Sequence, residues 1–113
     1  MDCVFCRITA GEIPSQPVYQ DDEVLVLRDL NPQAPVHLLV IPKRHVASLA
    51  DLTATDDHLL VHIHEVIRRL ATESGLWPEG YRVVINNGPN GGQTVFHLHF
   101  HLLGGRFMGW PPG

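Results

Sequence analysis

Hydrophobic and polar positions change their period along this chain, and the change predicts where a helix gives way to strands. From about Thr55 to Ser74, apolar residues recur every three or four positions and form one stripe, which is typical of an amphipathic helix. Thr55 can cap the start of this helix, Asp56 suits the positive end of its dipole, and Gly75 ends it. The stripe consists of Leu59, Leu60, Ile63, Val66, Ile67, Leu70 and Ala71.

Short runs of β-branched and aliphatic residues predict strands in the rest of the chain. Two of these runs flank a polar turn and predict a hairpin, and proline or glycine interrupts the chain between the others. The predicted strands cover Val18–Tyr19, Val24–Leu27, His37–Ile41, Tyr81–Asn87 and His97–Leu103, and Val4–Ile8 is predicted to form a helical turn. About five short strands and one main helix predict an α+β fold around a mostly antiparallel sheet.

The last predicted strand places three histidines in a row. Side chains two residues apart in a strand point the same way, so His97, His99 and His101 share one face while apolar residues face the core. A glycine-rich loop, Asn87–Thr94, leads into this row, and such loops let backbone amides approach an anion. Taken alone, the loop is interpreted as a turn between strands, and the row of histidines as a polar face of a strand. Together they favour a phosphate-binding loop beside a nucleophilic histidine.

Composition narrows the class of protein. A chain of 113 residues with 44% hydrophobic residues and no repeat or linker suits one domain, residues 1–113. The formal net charge of −4 argues against binding to a nucleic-acid backbone, although it allows a small anionic ligand. No apolar run approaches the ~20 residues of a membrane helix, and no signal peptide is recognisable. We therefore expect a cytoplasmic protein without membrane contact, whose two cysteines form no structural disulfide.

These motifs resemble the histidine triad (HIT) family of nucleotide-binding proteins. The resemblance rests on His-φ-His-φ-His-φ-φ after Gly-Gly-Gln-Thr, on the segments 29–35 and 37–45, and on the closing Trp-Pro-Pro-Gly. That ending is similar to the Hint branch, whose members are nucleoside phosphoramidases. The resemblance implies the HIT-like fold and a symmetric homodimer with a continuous sheet. It also implies a hydrolase that cleaves purine nucleoside 5′-phosphoramidates, such as adenosine 5′-monophosphoramidate, into nucleotide and amine.

The resemblance also assigns catalytic roles to three histidines. His99 corresponds to the nucleophile that attacks the α-phosphorus and forms a covalent nucleotidyl-histidine intermediate. Attack needs one free ring nitrogen, and a backbone carbonyl accepting from the other would fix that tautomer. His101 corresponds to a group that contacts phosphate oxygens or assists proton transfer. His37 corresponds to a supporting residue, with a core histidine as the alternative interpretation.

Substrate contacts follow from the same resemblance. Asp29 corresponds to the acidic residue that accepts the ribose hydroxyls, and the tail, residues 106–113, would bring Trp110 to the partner's nucleotide site. Thr94 stands where the family has serine, which keeps the hydroxyl and adds a methyl group. The predicted phosphate contacts are Asn86, Gly92, Gln93 and Thr94, and the predicted base contacts are Phe5, Ile8 and Leu30.

A second group of residues has the chemistry of a metal site. Cys3 and Cys6 have a spacing that is common in zinc sites, and His45 and His97 are the natural remaining ligands. Many bacterial members of the superfamily hold zinc with such residues, so the resemblance implies a structural zinc ion and no organic cofactor. All four positions would be taken, and His97 would then take no part in the chemistry. Two buried free thiols are the alternative.

Two other functions stay open at this point. Hydrolysis of dinucleoside polyphosphates is one, and the Trp-Pro-Pro-Gly ending argues against it. The other is a nucleotide-binding regulatory protein with vestigial activity, against which the intact His99, Gln93 and Thr94 argue. Turnover of an adenosine phosphoramidate and of a diadenosine polyphosphate separates the two enzymes. Nucleotide binding without turnover of either would favour the regulatory protein.

Overall fold

A five-stranded antiparallel sheet forms the frame of residues 3–113, the part of the chain that this computed structural model describes. The strands lie in the order β1-β2-β3-β5-β4. They span β1 Tyr19–Gln20, β2 Val24–Arg28, β3 Val36–Pro42, β4 Tyr81–Val84 and β5 Phe100–Gly104, and the helices span α1 Val4–Thr9 and α2 Asp57–Glu73, with 3₁₀ turns at Leu49–Asp51 and Ala54–Asp56. The predicted α+β class, with about five strands and one main helix, is confirmed.

The two faces of the sheet are covered by different helices. The apolar stripe of α2 packs on one face, against alternate strand residues such as Val26, Val40 and Phe100. On the other face, Phe5 of α1 packs with Leu25 and other apolar residues. Because side chains alternate along a strand, β2 is buried on both faces. The face under α1 is the one that carries the histidines described below.

The start of α2 differs from the prediction. Thr55 does not cap it. Thr53 caps the 3₁₀ turn Ala54–Asp56, and α2 begins at Asp57: the Thr53 N–H donates to the Asp56 carboxylate at 2.9 Å, and the Asp56 N–H donates to the Thr53 carbonyl at 2.9 Å. A 3₁₀ turn therefore precedes the α-helix. The end is as predicted, with Gly75 at φ +73°. No helix within the described part of the chain is long and apolar enough to cross a membrane.

The ends of two strands also differ from the prediction. The predicted strand from His97 begins only at Phe100, and the strand predicted to reach Asn87 ends at Val84. Before Phe100, the Leu98 N–H donates to the Val46 carbonyl at 2.7 Å, so the backbone there bonds a loop instead of a neighbouring strand. The alternation still holds, since the apolar residues between the histidines lie in the core under α2.

Asp21 ties α2 to the hairpin between β1 and β2. The Tyr19 hydroxyl and His62 Nε2 donate to one carboxylate oxygen at 2.7 and 2.6 Å, and the amides of Glu23 and Val24 donate to the other, both at 2.8 Å. Partial burial opposes ionisation of this carboxyl. The hydrogen bonds outweigh it and hold the pKa of Asp21 well below its usual range.

We expect Asp21→Asn to lower the free energy of unfolding at pH 7 by about 2 kcal/mol, since hydrogen bonds to a charged group are lost. The folded pKa lies below the unfolded one, so this stabilisation is present above about pH 4 and is lost as the pH falls toward the folded value. Urea unfolding at pH 7 and pH 2.5 measures both effects. The exposed neighbour provides the control, Asp22→Asn. Equal losses for the two variants at pH 7 would contradict the role of Asp21.

Candidate functional site

Four histidines converge on the face of the sheet that α1 covers. His37 on β3 and His101 on β5 approach each other, with His37 Nε2 2.8 Å from His101 Nδ1. The ring of His99 lies 5.1 Å from the ring of His101. Phe5 packs edge-on against the rings of His97 and His99, at 5.6 and 5.4 Å. The structure thus brings together the three histidines to which the sequence assigns catalytic roles.

His99 is held in one ring tautomer by the backbone. Its Nδ1–H donates to the carbonyl of His97 at 2.7 Å. A carbonyl can only accept, so the proton lies on Nδ1 and Nε2 of the neutral ring carries a lone pair. This is the state that a nucleophilic imidazole needs.

His37 and His101 form a hydrogen-bonded pair beside Asp29. The backbone amide of Gln33 donates to His37 Nδ1 at 3.0 Å, and Asp29 Oδ2 lies 3.4 Å from His37 Nε2. Burial, together with the neighbouring imidazoles of His99 and His37, lowers the pKa of His101 to about 4. His101 is therefore neutral at pH 7. The amide of Gln33 carries no signal in the sequence, because every residue except proline has one.

The glycine-rich loop is a tight turn that requires glycine. A Cβ at Gly91 would lie 2.6 Å from the carbonyl oxygen of Asn87, and Gly92 has φ +76°. Thr94 is exposed at the end of the loop. Asn86 is half-buried between β4 and the loop. The loop leads into the segment that carries His97, with Thr94 three residues before it; the phosphate contacts of Asn86, Gly92 and Thr94 stay a prediction.

The Gln93 side chain makes its hydrogen bonds inside the protein. Its side chain is buried, and its amide nitrogen donates to the carbonyls of Ala47 and Val95 at 2.7 and 3.1 Å. Its side-chain oxygen accepts from the Gly88 N–H at 3.0 Å. Both amide hydrogens are thus used inside the protein. Gln93 thus holds the loop in shape, and the phosphate contact predicted for its side chain stays a prediction.

The residues predicted to contact the base and the ribose are only partly assembled. Phe5 is buried and Ile8 half-buried under α1, whereas the side chains of Leu30 and Trp110 are exposed. Asp29 faces His37 with one oxygen, and its other oxygen accepts a hydrogen bond from a backbone amide of its own loop. The apolar side chains of Leu30 and Trp110 are therefore free to meet a ligand or a second chain.

A compact group of two cysteines and two histidines lies beside the histidines that are predicted to be catalytic. The ligand atoms of Cys3, Cys6, His45 and His97 all lie within 4.8 Å of one another. Cys3 Sγ is 3.3 Å from His97 Nδ1, and Cys6 Sγ is 3.3 Å from His45 Nδ1. His97 donates through Nε2 to the Pro42 carbonyl at 2.7 Å, which leaves a lone pair on Nδ1, toward the cysteines.

The ionisation states of this group are compatible with a bound cation. Burial and the neighbouring Cys3 raise the pKa of the Cys6 thiol, and burial lowers the pKa of His97, which keeps its imidazole neutral. Neutral imidazole is the form that binds metals, and a cation would reverse the shift of the thiols. Two sulfur and two nitrogen donors at these distances fit a tetrahedral zinc ion.

Asp29, His37 and His101 also bring their ligand atoms within 4.8 Å of one another. The Gln33 amide argues against a metal there. It donates to His37 Nδ1, so the ring proton of a neutral His37 occupies Nε2, the atom that faces His101 and Asp29. His37 and His101 are therefore joined by a hydrogen bond, with the Asp29 carboxylate 3.4 Å from His37 Nε2.

Comparisons with known proteins find similar chains of nearly the same length. The model of the family described as "Scavenger mRNA decapping enzyme C-term binding" matches residues 2–110. The chain is 54% identical over 112 residues to an uncharacterized HIT-like protein of Synechococcus elongatus, covering 99% of this chain and 97% of that protein. It is 49% identical over 112 residues to the 14 kDa zinc-binding protein of Zea mays, covering 97% and 87%. A HIT family hydrolase from Legionella pneumophila is similar in structure, with a TM-score of 0.96, 50% identity and coverage of 99% and 100%.

Proposed function

Because the chain belongs to the histidine triad family, we propose that it cleaves purine nucleoside 5′-phosphoramidates into a nucleoside monophosphate and an amine. The observation that carries the proposal is the hydrogen bond from His99 Nδ1 to the His97 carbonyl, 2.7 Å long. It leaves Nε2 of His99 as a free nucleophile beside two further histidines. The Trp-Pro-Pro-Gly ending, similar to that of the Hint branch, supports a phosphoramidate over a dinucleoside polyphosphate as substrate.

The proposed reaction has two steps. His99 Nε2 attacks the α-phosphorus and the P–N bond breaks; the amine takes a proton from solvent as it leaves, and His101 donates a hydrogen bond from Nε2 to a phosphate oxygen. A water molecule then attacks the phosphorus of the nucleotidyl-histidine and gives a proton to solvent, the bond to His99 Nε2 breaks, and the nucleoside monophosphate leaves. Loss of one hydrogen-bond donor to a developing negative charge costs about 10²–10³-fold in rate. Thr94 and the loop amides would bind the phosphate, and Asp29 the ribose.

Turnover of two substrates tests this function. We expect hydrolysis of adenosine 5′-phosphoramidate to AMP, with kcat/KM far above that for diadenosine triphosphate. Acid quenching followed by mass spectrometry should show an adenylyl group on His99 during turnover. Faster cleavage of diadenosine triphosphate would reassign the substrate class. AMP binding without turnover of either compound would replace the enzyme by a nucleotide-binding regulatory protein.

The cysteine and histidine group is proposed to hold a structural zinc ion. Cys3 and Cys6 would bind it from the start of α1, His45 from the end of β3, and His97 from the approach to β5. The donor types and distances support this proposal, as does the likeness to a zinc-binding protein of maize. When bound, zinc would join the N-terminal helix to the sheet. All four positions would be filled by protein, so no reaction step passes through the metal.

A homodimer is proposed from the apolar groups left uncovered. β4 is an edge strand of the described sheet, and its residues Tyr81 and Val83 are exposed. Trp77 is also exposed, and Phe107 and Trp110 on the tail are 90% and 83% exposed. A second copy paired along β4 would extend the sheet through both subunits and cover this surface. Trp110 would then reach toward the nucleotide site of the partner.

We expect sedimentation to show a dimer at micromolar concentration, and Val83→Lys to shift it toward monomer. A lysine on the edge strand places charge in the proposed interface. Leu49→Lys provides the control, because Leu49 is similarly exposed but belongs to a 3₁₀ turn rather than to β4. A monomeric wild-type protein would refute the dimer. Equal dissociation of the two variants would refute the choice of β4 as interface.

A further inference from the structure

A chain of hydrogen bonds runs from the loop before β3 into the candidate site. The Gln33 N–H donates to His37 Nδ1 at 3.0 Å. A backbone amide can only donate, so Nδ1 of His37 must hold a lone pair and the proton of the neutral ring lies on Nε2. That Nε2 is 2.8 Å from His101 Nδ1. His37 is therefore the donor in this pair and His101 Nδ1 the acceptor.

The hydrogen bond to Nδ1 of His101 determines the state of the other ring nitrogen, Nε2. Since His101 is neutral at pH 7 and its Nδ1 accepts a hydrogen bond, its one ring proton lies on Nε2. That Nε2 is buried and has no hydrogen-bond partner within residues 3–113. A buried donor without a partner is costly unless a ligand uses it. The amide of Gln33 thus ensures that His101 presents a proton, rather than a lone pair.

Arg106 holds in place the Gln33 peptide, whose N–H sets the two tautomers. Its Nε donates to the Gln33 carbonyl at 3.0 Å, and a terminal guanidinium nitrogen donates to the Phe107 carbonyl at 3.0 Å. Next to Arg106, Gly105 has φ +93°, and a Cβ there would lie 2.9 Å from the Cβ of Pro35. The start of the tail is therefore packed against the loop that carries Gln33.

The geometry points to Gln33 and Arg106 as positioning residues. The Arg106 guanidinium holds the Gln33 peptide, whose N–H fixes the tautomers of His37 and His101 so that His101 Nε2–H can donate a hydrogen bond to a phosphate oxygen of the substrate. His101 keeps this proton throughout: the amine takes its proton from solvent as the P–N bond breaks, and the water that attacks in the second step returns one to solvent. The phosphate ligand rests on the proposed function, whereas the tautomers are properties of the free protein.

Ring ¹⁵N chemical shifts of the full-length protein test the tautomers without any substrate. We expect His37 and His101 of the wild-type protein to be protonated on Nε2. Gln33→Pro removes the N–H donor, and we expect it to move His37 toward protonation on Nδ1. Gln33→Ala loses the same side chain but keeps the N–H, and we expect it to leave both tautomers unchanged. Thermal unfolding shows whether the proline variant folds.

Arg106 is tested against a matched arginine. Arg82 donates to the carbonyls of Met108 and Gly109 on the same tail, whereas the Gln33 carbonyl is bonded by Arg106. We expect Arg106→Ala to mix the tautomers of the two histidines and to lower kcat about tenfold with KM nearly unchanged. Arg106→Lys should recover part of kcat. Arg82→Ala should leave the tautomers as they are in the wild-type protein.

Two results would overturn the inference. One is a wild-type His37 protonated on Nδ1. The other is an Arg106→Ala variant whose His37 and His101 keep the wild-type tautomers. If Gln33→Pro does not fold, the Arg106→Ala spectrum is sufficient to test the inference. Failure of the proposed function is distinguishable, because a protein that hydrolyses no phosphoramidate still gives ring ¹⁵N shifts.

Discussion

His99→Ala is expected to lower kcat/KM for adenosine 5′-phosphoramidate by about three to four orders of magnitude, because the group that forms the covalent intermediate is gone. Binding of AMP should change little, since the predicted phosphate and ribose contacts come from the glycine-rich loop and Asp29. Steady-state hydrolysis measures the first effect and calorimetric titration with AMP the second. Acid-quenched His99→Ala should carry no adenylyl group.

A second histidine provides the control for this variant. His64→Ala removes an exposed imidazole of α2 whose Nδ1 bonds the Leu60 carbonyl within the same helix. Its hydrolysis rate should stay near that of the wild-type protein. If His99→Ala turns over at a comparable rate, or if an adenylyl group still forms on the protein, the proposed mechanism is wrong. Loss of AMP binding together with turnover would instead indicate that the site has collapsed.

Removal of the metal is expected to lower the melting temperature by about 10–20 °C, because binding energy at a structural zinc is partly folding energy. Cys3 and Cys6 lie at the start of α1, while His45 and His97 lie more than 35 residues further along the chain. The ion would therefore link α1, which is not part of the sheet, to the segments that follow β3 and precede β5. Elemental analysis of protein purified without added metal measures occupancy, and calorimetry with and without a chelator measures stability.

A pair of histidine variants separates metal loss from general damage. His45→Ala removes one proposed ligand, whereas His58→Ala removes an exposed imidazole that lies 3.7 Å from Glu23. We expect the first to lose zinc and stability and the second to keep both. A wild-type protein that contains no zinc, or whose melting temperature is unchanged by the chelator, would contradict a structural metal.

The sequence predicted elements better than their ends. The stripe on α2 identified its buried face, because a period of 3.6 leaves one arrangement of the apolar side chains. The alternation from His97 to Leu102 identified which side chains enter the core, yet it did not show that β5 begins at Phe100. The start of β5 depends on the Val46 carbonyl, which accepts a hydrogen bond from the Leu98 N–H. Thr53 and Thr55 are both good caps, and only the folded backbone distinguishes them.

Within the candidate site, side-chain chemistry was easier to predict than hydrogen bonding. The spacing of Cys3 and Cys6 indicates a metal site, the family resemblance adds His45 and His97, and the structure brings the four ligand atoms together. Gln93 was assigned by type as a phosphate donor, although its amide is used inside the protein. The type of a side chain does not determine which hydrogen-bond partners it has in the folded protein. Main-chain donors and acceptors are invisible to such reasoning, because nearly every residue supplies both.

The acceptor that orients His99 has a genetic consequence. In many enzymes an imidazole is oriented by a carboxylate, which one codon change can delete. Here the acceptor is the main-chain carbonyl of residue 97, which every amino acid provides. Substitution of His97 would remove a proposed metal ligand and the bond to the Pro42 carbonyl, but the oxygen opposite His99 would remain. The tautomer of the nucleophile is thus robust to point mutation of its partner, and only a displaced backbone can alter it.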